Sequence, residues 1–479
     1  MVKKIKSCRV CGSRALNPVF LPSEDSVSPL HVPNSGARKK SIDKNSDHKN
    51  PVCTEKFVLC DPSLDSKACG LLQRETFNKP ENLSYMPSAT FRMNRDHLRA
   101  AATEALELIS GRDCAALDIG CNDGTLLSYY PRWVDRFGVD TDPCVSQIGE
   151  WAWSAQAAFP SSELDQAFGS KKFDIITCIS TFEYCDDPSK LLEAIKNRLV
   201  DDGILILETL YAPMIMTGNA IETLTPDISG LYSLAVLEQI IREKGLKIFR
   251  GALTSKEGGS IRLFITHDNV TEYDFDPWSE RLARLWDEET VLALRERAPY
   301  QAFASRCHDA RDEFQAMLSQ IEKRAETVHI LGTDKHAKIL MDWSGAAGNV
   351  ITHAVEIDTK SRIEHGASLP FSNFPQGHDV PIISEAQSRT LEPDYFLAPI
   401  HLKREMLEYW REAIQAGGKM IFATPNPHIV DSQNYTAEYG KIISQGDSAA
   451  GVETLRAILH ATGGPRLISN NESVTAKSA

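Results

Sequence analysis

The sequence predicts an α/β protein: two parallel sheets clothed by helices, preceded by a small cysteine-rich unit. Three observations predict it. Short apolar strands alternate with helical runs over residues 81–270, and the same alternation returns after residue 328. Five of the eleven cysteines fall within the first 80 residues.

In order, residues 1–80 read as the cysteine-rich domain, with a polar loop over 33–51 (PNSGARKKSIDKNSDHKNP) that has no apolar periodicity. Over 81–270 a helix is expected at 97–109 and another at 188–199. Strands are expected at 115–119, 135–139, 173–178 and 204–207. Residues 271–327 are charged and helical, at 279–296 and 305–327, and read as a connector. A second α/β domain follows over 328–440, with strands at 328–331, 351–357, 395–398 and 419–423 and a helix from 336. Residues 441–479 read as a terminal helix and a flexible tail.

The 479 residues suit two or three domains, and 42% hydrophobic with 24% charged residues is ordinary for a globular protein. A formal charge of −13 and a pI near 5.5 argue against general affinity for nucleic acid or anionic membrane, which need a positive field. No apolar run approaches the roughly 20 residues a bilayer requires, and the basic start MVKKIKSCRVCGSR lacks the apolar core of a signal peptide. The expectation is a cytoplasmic protein, monomeric or a small homo-oligomer, whose cysteines are thiols or metal ligands rather than disulfides.

The stretch 117–127, LDIGCNDGTLL, puts a small-residue loop directly after an apolar strand, where open α/β sheets bind ligands. The G-x-G-x-x-G dinucleotide fingerprint fails: counted from Gly120, its second and third glycine positions are Asn122 and Thr125. A cofactor without a pyrophosphate needs no such cradle, and S-adenosyl-L-methionine (SAM) is one. Asp118 sits where a carboxylate attracts the cationic end of SAM. Asp140, twenty positions after Gly120, sits where ribose hydroxyls are met. The expected cofactor residues are Asp118, Gly120, Asn122, Gly124, Asp140 and Thr181. Cys121, inside the loop, reads as a small packing residue.

Cys8-x-x-Cys11-Gly12 is a compact knuckle that offers two corners of a zinc tetrahedron. Cys60 and Cys69, the latter also followed by glycine, are the expected other pair, with Cys53 as a substitute for either. Four thiolates close the coordination sphere, so this zinc would be structural.

These segments in this order resemble the sugar C-methyltransferases that act on nucleotide-linked keto-deoxysugars. The resemblance runs from Cys8 to about Pro425 and is carried by SCRVCGS, ACGLLQ, ALDIGCNDGTLL, FGVDTDP, EYCDDP, ILETLYAP, EGGSIRLFI, LGTDKHAKIL and GGKMIFATP. It implies a zinc-binding domain, a central class I SAM-methyltransferase Rossmann-like domain and a C-terminal Rossmann-like domain, with a substrate cleft between the last two. It also implies a role in natural product biosynthesis on a sugar nucleotide, and C-methylation through an enolate, for which a base must first remove a proton beside a ketone. The family's His-Glu-His segment ahead of Tyr-Ser-Leu is Thr225-Pro226-Asp227-Ile228 here, the histidine before Gly-Gly-Ser is Glu257, and the Glu-His pair after the third sheet strand is Glu183-Tyr184. Asp227, Tyr232, Glu257 and Tyr85 are the remaining candidates for proton transfer or substrate contact. Arg92, Arg95, Arg262, Lys335 and Lys338 are candidates for holding an anionic, nucleotide-linked small molecule, and His336 and His401 fall in loops of the C-terminal domain. The missing histidines keep two other readings open: O- or N-methylation of a small metabolite, and a non-catalytic SAM-binding scaffold.

Overall fold

The structure, a computed structural model, describes residues 3–19, 57–77, 92–109, 113–345, 350–357, 368–369 and 380–446. The expected loop over 33–51, Cys53, Tyr85 and the terminal tail lie outside these residues.

The N-terminal part consists of β1 (Lys3–Lys4), β2 (Leu16–Val19), β3 (Phe57–Cys60), β4 (Leu72–Arg74) and β5 (Thr76–Phe77), with β1 paired to β5 and β2–β3–β4 forming an antiparallel sheet. The central sheet has seven strands: β6 (Cys114–Ile119), β7 (Val134–Asp140), β8 (Trp153–Gln156), β9 (Phe173–Ile179), β10 (Leu199–Leu210), then, beyond a two-residue strand β11 (Gly230–Leu231), β12 (Leu246–Thr254) and β13 (Ser260–His267). Its order is β12-β13-β10-β9-β6-β7-β8, and β13 runs antiparallel to both neighbours. Every residue of β6 is buried, as expected of a central strand covered on both faces.

The strands expected at 115–119, 135–139, 173–178 and 204–207 are β6, β7, β9 and the core of β10. Two features escape the alternation signal. β8 is exposed or half-buried at every position, so it has no apolar run to find. The β12–β13 hairpin turns at Gly258-Gly259, a pairing that a reading of strand–helix units does not look for.

The C-terminal sheet holds β14 (Val328–Leu331), β15 (Ile351–Glu356), β16 (Ser368–Leu369), β17 (Val380–Ser384), β18 (Tyr395–Leu397), β19 (Met420–Phe422) and β20 (His428–Val430), in the order β16-β17-β15-β14-β18-β19-β20. The inner strands are parallel and the two edges antiparallel. In both sheets the first strand in chain order lies inside, with later strands added to either side. Each sheet therefore has a switch point, β6/β9 in one and β14/β18 in the other.

The parts are joined by more than chain. β11 extends the N-terminal sheet, pairing with β4. The helix Ala298–Lys323, expected as part of a connector, buries Tyr300, Phe303, Cys307, Ala310, Phe314, Leu318 and Ile321, a three-and-four spacing that makes one continuous apolar stripe. That stripe belongs to a core that also takes in Phe57 and Leu72 of the N-terminal sheet, Ile221 and Ile228 of the central domain, and Ile330 and Leu397 of the C-terminal sheet. Among the described residues no helix is long and apolar enough to cross a membrane.

Candidate active site

β6 delivers the chain into a loop that only small residues can follow. Gly120, Asn122 and Gly124 all have positive φ, at 77°, 48° and 78°. A Cβ on Gly120 would lie 2.1 Å from Thr181 Oγ1. The loops after β6 and β9 thus touch at the switch point, in a cradle that a larger residue would fill. Asp140, ending β7, accepts hydrogen bonds from the backbone N–H of Asn122 and of Asp142, each at 2.8 Å. It holds both loops while each oxygen retains a lone pair for a ligand hydroxyl. Asp118 is buried, and Thr177 Oγ1 donates to it at 2.6 Å. Burial, reinforced by the nearby charge of Asp140, pushes its carboxyl up to about 7, against the Thr177 hydrogen bond. A buried acid of this kind suits a cationic ligand, whose charge would favour the ionised form. All six expected cofactor residues meet in this one constellation. Cys121 is buried, and a Cβ on Gly138 would lie 2.8 Å from its sulfur, which marks it as packing.

The four expected metal ligands converge as well. Cys8 and Cys69 sulfurs are 3.6 Å apart, Cys11 and Cys60 sulfurs 3.5 Å, and all four lie within 4.8 Å of one another. Edges of this length match a tetrahedron with zinc–sulfur bonds of about 2.3 Å, so the donor set fits zinc.

A second cluster forms where turns of the central domain meet the C-terminal domain. Residues Phe182–Tyr184 make a single 3-10 turn after β9. At one end of this loop Thr181 borders Gly120; at the other the Tyr184 ring lies 4.8 Å beneath Lys335 Nζ. Lys335 also donates to the buried Asp227 at 2.5 Å, and the other Asp227 oxygen has no hydrogen-bond partner among the described residues. Glu257, held at φ 51° in the β12–β13 turn, stands 3.7 Å from Lys256 Nζ. Glu183 is fully buried, with Thr209 Oγ1 donating to it at 3.0 Å. Burial first, then the charge of Glu257, pushes its carboxyl up to about 8. The C-terminal side adds Asp334, His336 and His401.

Residues 91–249 match the methyltransferase domain family, and residues 255–425 match the C-methyltransferase C-terminal domain family. The chain carries a class I methyltransferase domain joined to a C-methyltransferase C-terminal domain. Numbered within the methyltransferase domain, its strands run 3-2-1-4-5-7-6 with the seventh antiparallel, a nucleotide-binding order with one strand inserted. The C-methyltransferase NovU of Streptomyces niveus is 22% identical over 254 residues, 53% of this chain and 57% of that protein. The mitochondrial ubiquinone biosynthesis O-methyltransferase of Saccharomyces cerevisiae is 30% identical over 132 residues, 25% of this chain and 42% of that protein. The chain thus spans about half the length of the curated relatives it matches. Among solved structures, magnesium protoporphyrin IX methyltransferase from Synechocystis, with bound SAH, is 18% identical, covering 36% of this chain and 83% of that one, with a TM-score of 0.29.

Not every expected residue joins this cluster between the methyltransferase and C-terminal domains. Tyr232 is fully buried against Phe182, its hydroxyl without a partner among the described residues; it is a core residue beside the N-terminal sheet. Arg262 is withdrawn from any anion, because Glu208 at 2.6 Å and Glu104 at 2.7 Å already neutralise it inside the fold. Lys338 pairs with Asp342 at 3.4 Å, and Lys335 with Asp227, so the expected basic patch is a set of internal ion pairs. Arg95 has partners of its own. Tyr85 and the side chain of Arg92 lie outside the described residues. Sequence reasoning passed over Glu222, Lys256 and the His97–Glu208 pair at 2.8 Å, none of which has a local motif. Glu183 stands where the Glu-His pair of the resembled family has become Glu-Tyr.

Proposed function

We propose that the chain transfers a methyl group from SAM to a carbon of a small keto compound, in the first instance a nucleotide-linked keto-deoxysugar, through an enolate. The observation that carries this reading is the short loop after β9, which borders the glycine cradle at Thr181 and the interdomain cluster at Tyr184. The cofactor's reactive end and a set of buried acids would then share one opening. The similarity to a C-methyltransferase supports carbon as the acceptor atom.

SAM supplies an electrophilic methyl group on a sulfonium. The chain's own residues do the rest. Glu257 or Asp227 accepts the proton beside the ketone, and the C–H electrons move onto the oxygen. Lys335 Nζ, already beside Asp227, donates to that oxygen as its charge grows. With SAM bound, the enolate carbon would take the methyl group and leave the C–S bond pair on sulfur, and the proton held by the chain's carboxylate leaves to solvent. Glu183, protonated below about pH 8, adds no second negative charge beside Glu257. The four cysteines would hold zinc as a structural element.

Solvent deuterium exchange at the α-carbon tests the proton step apart from methyl transfer. Exchange without SAM is expected with a nucleotide-linked keto-deoxysugar, and loss of exchange in Glu257→Gln or Asp227→Asn identifies the base. Neither exchange nor methylation across a panel of such sugars would overturn the reading.

A further inference from the structure

The methyltransferase domain uses its switch point for the glycine cradle. The C-terminal sheet has a switch point too, between β14 and β18. The loop after β14 passes through Gly332, at φ 98°, to Asp334, and the helix Lys335–Ser344 begins there. The loop after β18 carries His401. In nucleotide-binding sheets this helix N-terminus receives a phosphate. Here the protein fills that position itself, because Asp334 Oδ1 accepts from the backbone N–H of Ala337 at 3.0 Å. The crevice is built against an anion.

The second oxygen of Asp334 faces two imidazoles. His336 Nδ1 is 3.0 Å from Oδ2 and His401 Nε2 is 4.0 Å from it, with the two rings 4.0 Å apart. One donor atom from each residue lies within 4.8 Å of the others. Both histidines are buried, at 7% and 9% exposure, while the Asp334 side chain keeps 34% of its surface open. The other ring nitrogen of His401 has no hydrogen-bond partner among the described residues, so no protein group fixes its tautomer. Glu222 is fully buried on the facing turn. One of its oxygens accepts from the backbone N–H of Ile400 at 2.6 Å, pinning the loop that bears His401; the other has no partner among the described residues. The nearby lysines are already engaged, Lys335 by Asp227 and Lys256 by Asn94 and Glu257.

We propose that Asp334, His336 and His401 bind a first-row divalent cation at the C-terminal switch point. Two imidazoles and one carboxylate are a donor set for such ions, and three protein ligands leave positions open, unlike the four-cysteine centre. An oxygen of water or of a bound small molecule would complete the sphere. The site does not depend on which acceptor the methyltransferase uses.

Cobalt(II) titration of the metal-stripped full chain separates the two centres by their ligands. Two equivalents are expected, one with intense thiolate-to-cobalt absorption and one with only weak ligand-field bands. Asp334→Asn, which keeps an oxygen to cap the helix, and His401→Gln should each weaken the second site by on the order of 100-fold or more, since even supporting residues are worth up to that. The thiolate band should not change, which certifies that the variants fold. A wild-type chain that binds cobalt with the thiolate signature alone overturns the proposal. So does a second equivalent that survives both substitutions.

Discussion

At the scale of residues, the proposed role of Asp118 at the cofactor should make SAM binding a function of pH. Its carboxyl is raised to about 7 by burial, so in the empty protein the proton stays on through the acid range. The stability this group contributes is complete below the ordinary carboxyl range, near about 4, and is lost as pH rises through about 7. A cationic ligand prefers the ionised form. SAM affinity should therefore rise between about pH 6 and about pH 8, with proton release seen by calorimetry in two buffers, and Asp118→Asn should abolish the dependence. Asp140→Ala removes two backbone hydrogen bonds together with the proposed ribose partner. It should weaken SAM binding at least about tenfold, at about 1 kcal/mol or more per lost interaction; unchanged calorimetric affinity would refute the cofactor assignment. Gly120→Ala meets both a positive φ and Thr181 Oγ1. The backbone strain alone should cost about 1–3 kcal/mol. Adding Thr181→Ala should restore only part of the lost thermal stability, because it relieves the clash and leaves φ as it is.

At the scale of elements, four of them are tied by one buried ionic network. Glu208 on β10 accepts from Arg262 on β13, from Thr254 on β12 and meets His97 on the helix Arg92–Leu108, while Glu104 on that helix bridges Arg262 and Arg250. Arg262 holds the Glu208 carboxyl well below the usual range, overcoming burial. Removing the guanidinium in Arg262→Met strands a buried charge and should cost about 3–5 kcal/mol in urea unfolding. Lys171→Ala, which breaks an exposed pair with Asp135, should cost under about 1 kcal/mol. This contrast also explains what was legible in the sequence. The glycine loop, Asp140 and the Cys8-x-x-Cys11 knuckle announce themselves because each depends on chemistry within a few residues of a strand end. Arg262 and His97 are 165 positions apart, and nothing local distinguishes this arginine from a surface one that could grip phosphate. Tyr232 likewise has the right position in its motif, yet the packing of Phe182 decides its place. His336 and His401 gain meaning only once β14 and β18 lie side by side.

At the scale of the whole molecule, residues 219–234 belong to every part at once. β11 is a strand of the cysteine-rich sheet, and Arg74 of that sheet donates to the carbonyls of Leu224 and Thr225 at 3.1 and 2.7 Å. The same stretch receives Lys335 at Asp227 and Ile400 at Glu222 from the C-terminal domain, and Asn219 donates to the Pro425 carbonyl at 3.0 Å. A zinc held by Cys8, Cys11, Cys60 and Cys69 would thus brace the candidate active site from a distance. Stripping it with a strong chelator should lower the melting temperature and methyl transfer together, while SAM affinity falls less. Equal loss of both would mean that the cofactor domain needs the metal as well. The shared stretch also limits how such a protein can be recombined. A chimera that takes its C-terminal domain from one relative and its methyltransferase domain from another inherits mismatched partners for residues 219–234, wherever the junction is placed. Functional hybrids should be those in which this stretch travels with Arg74, Lys335 and Ile400 as a set, so that substrate preference is inherited as a unit spread over three parts of the chain.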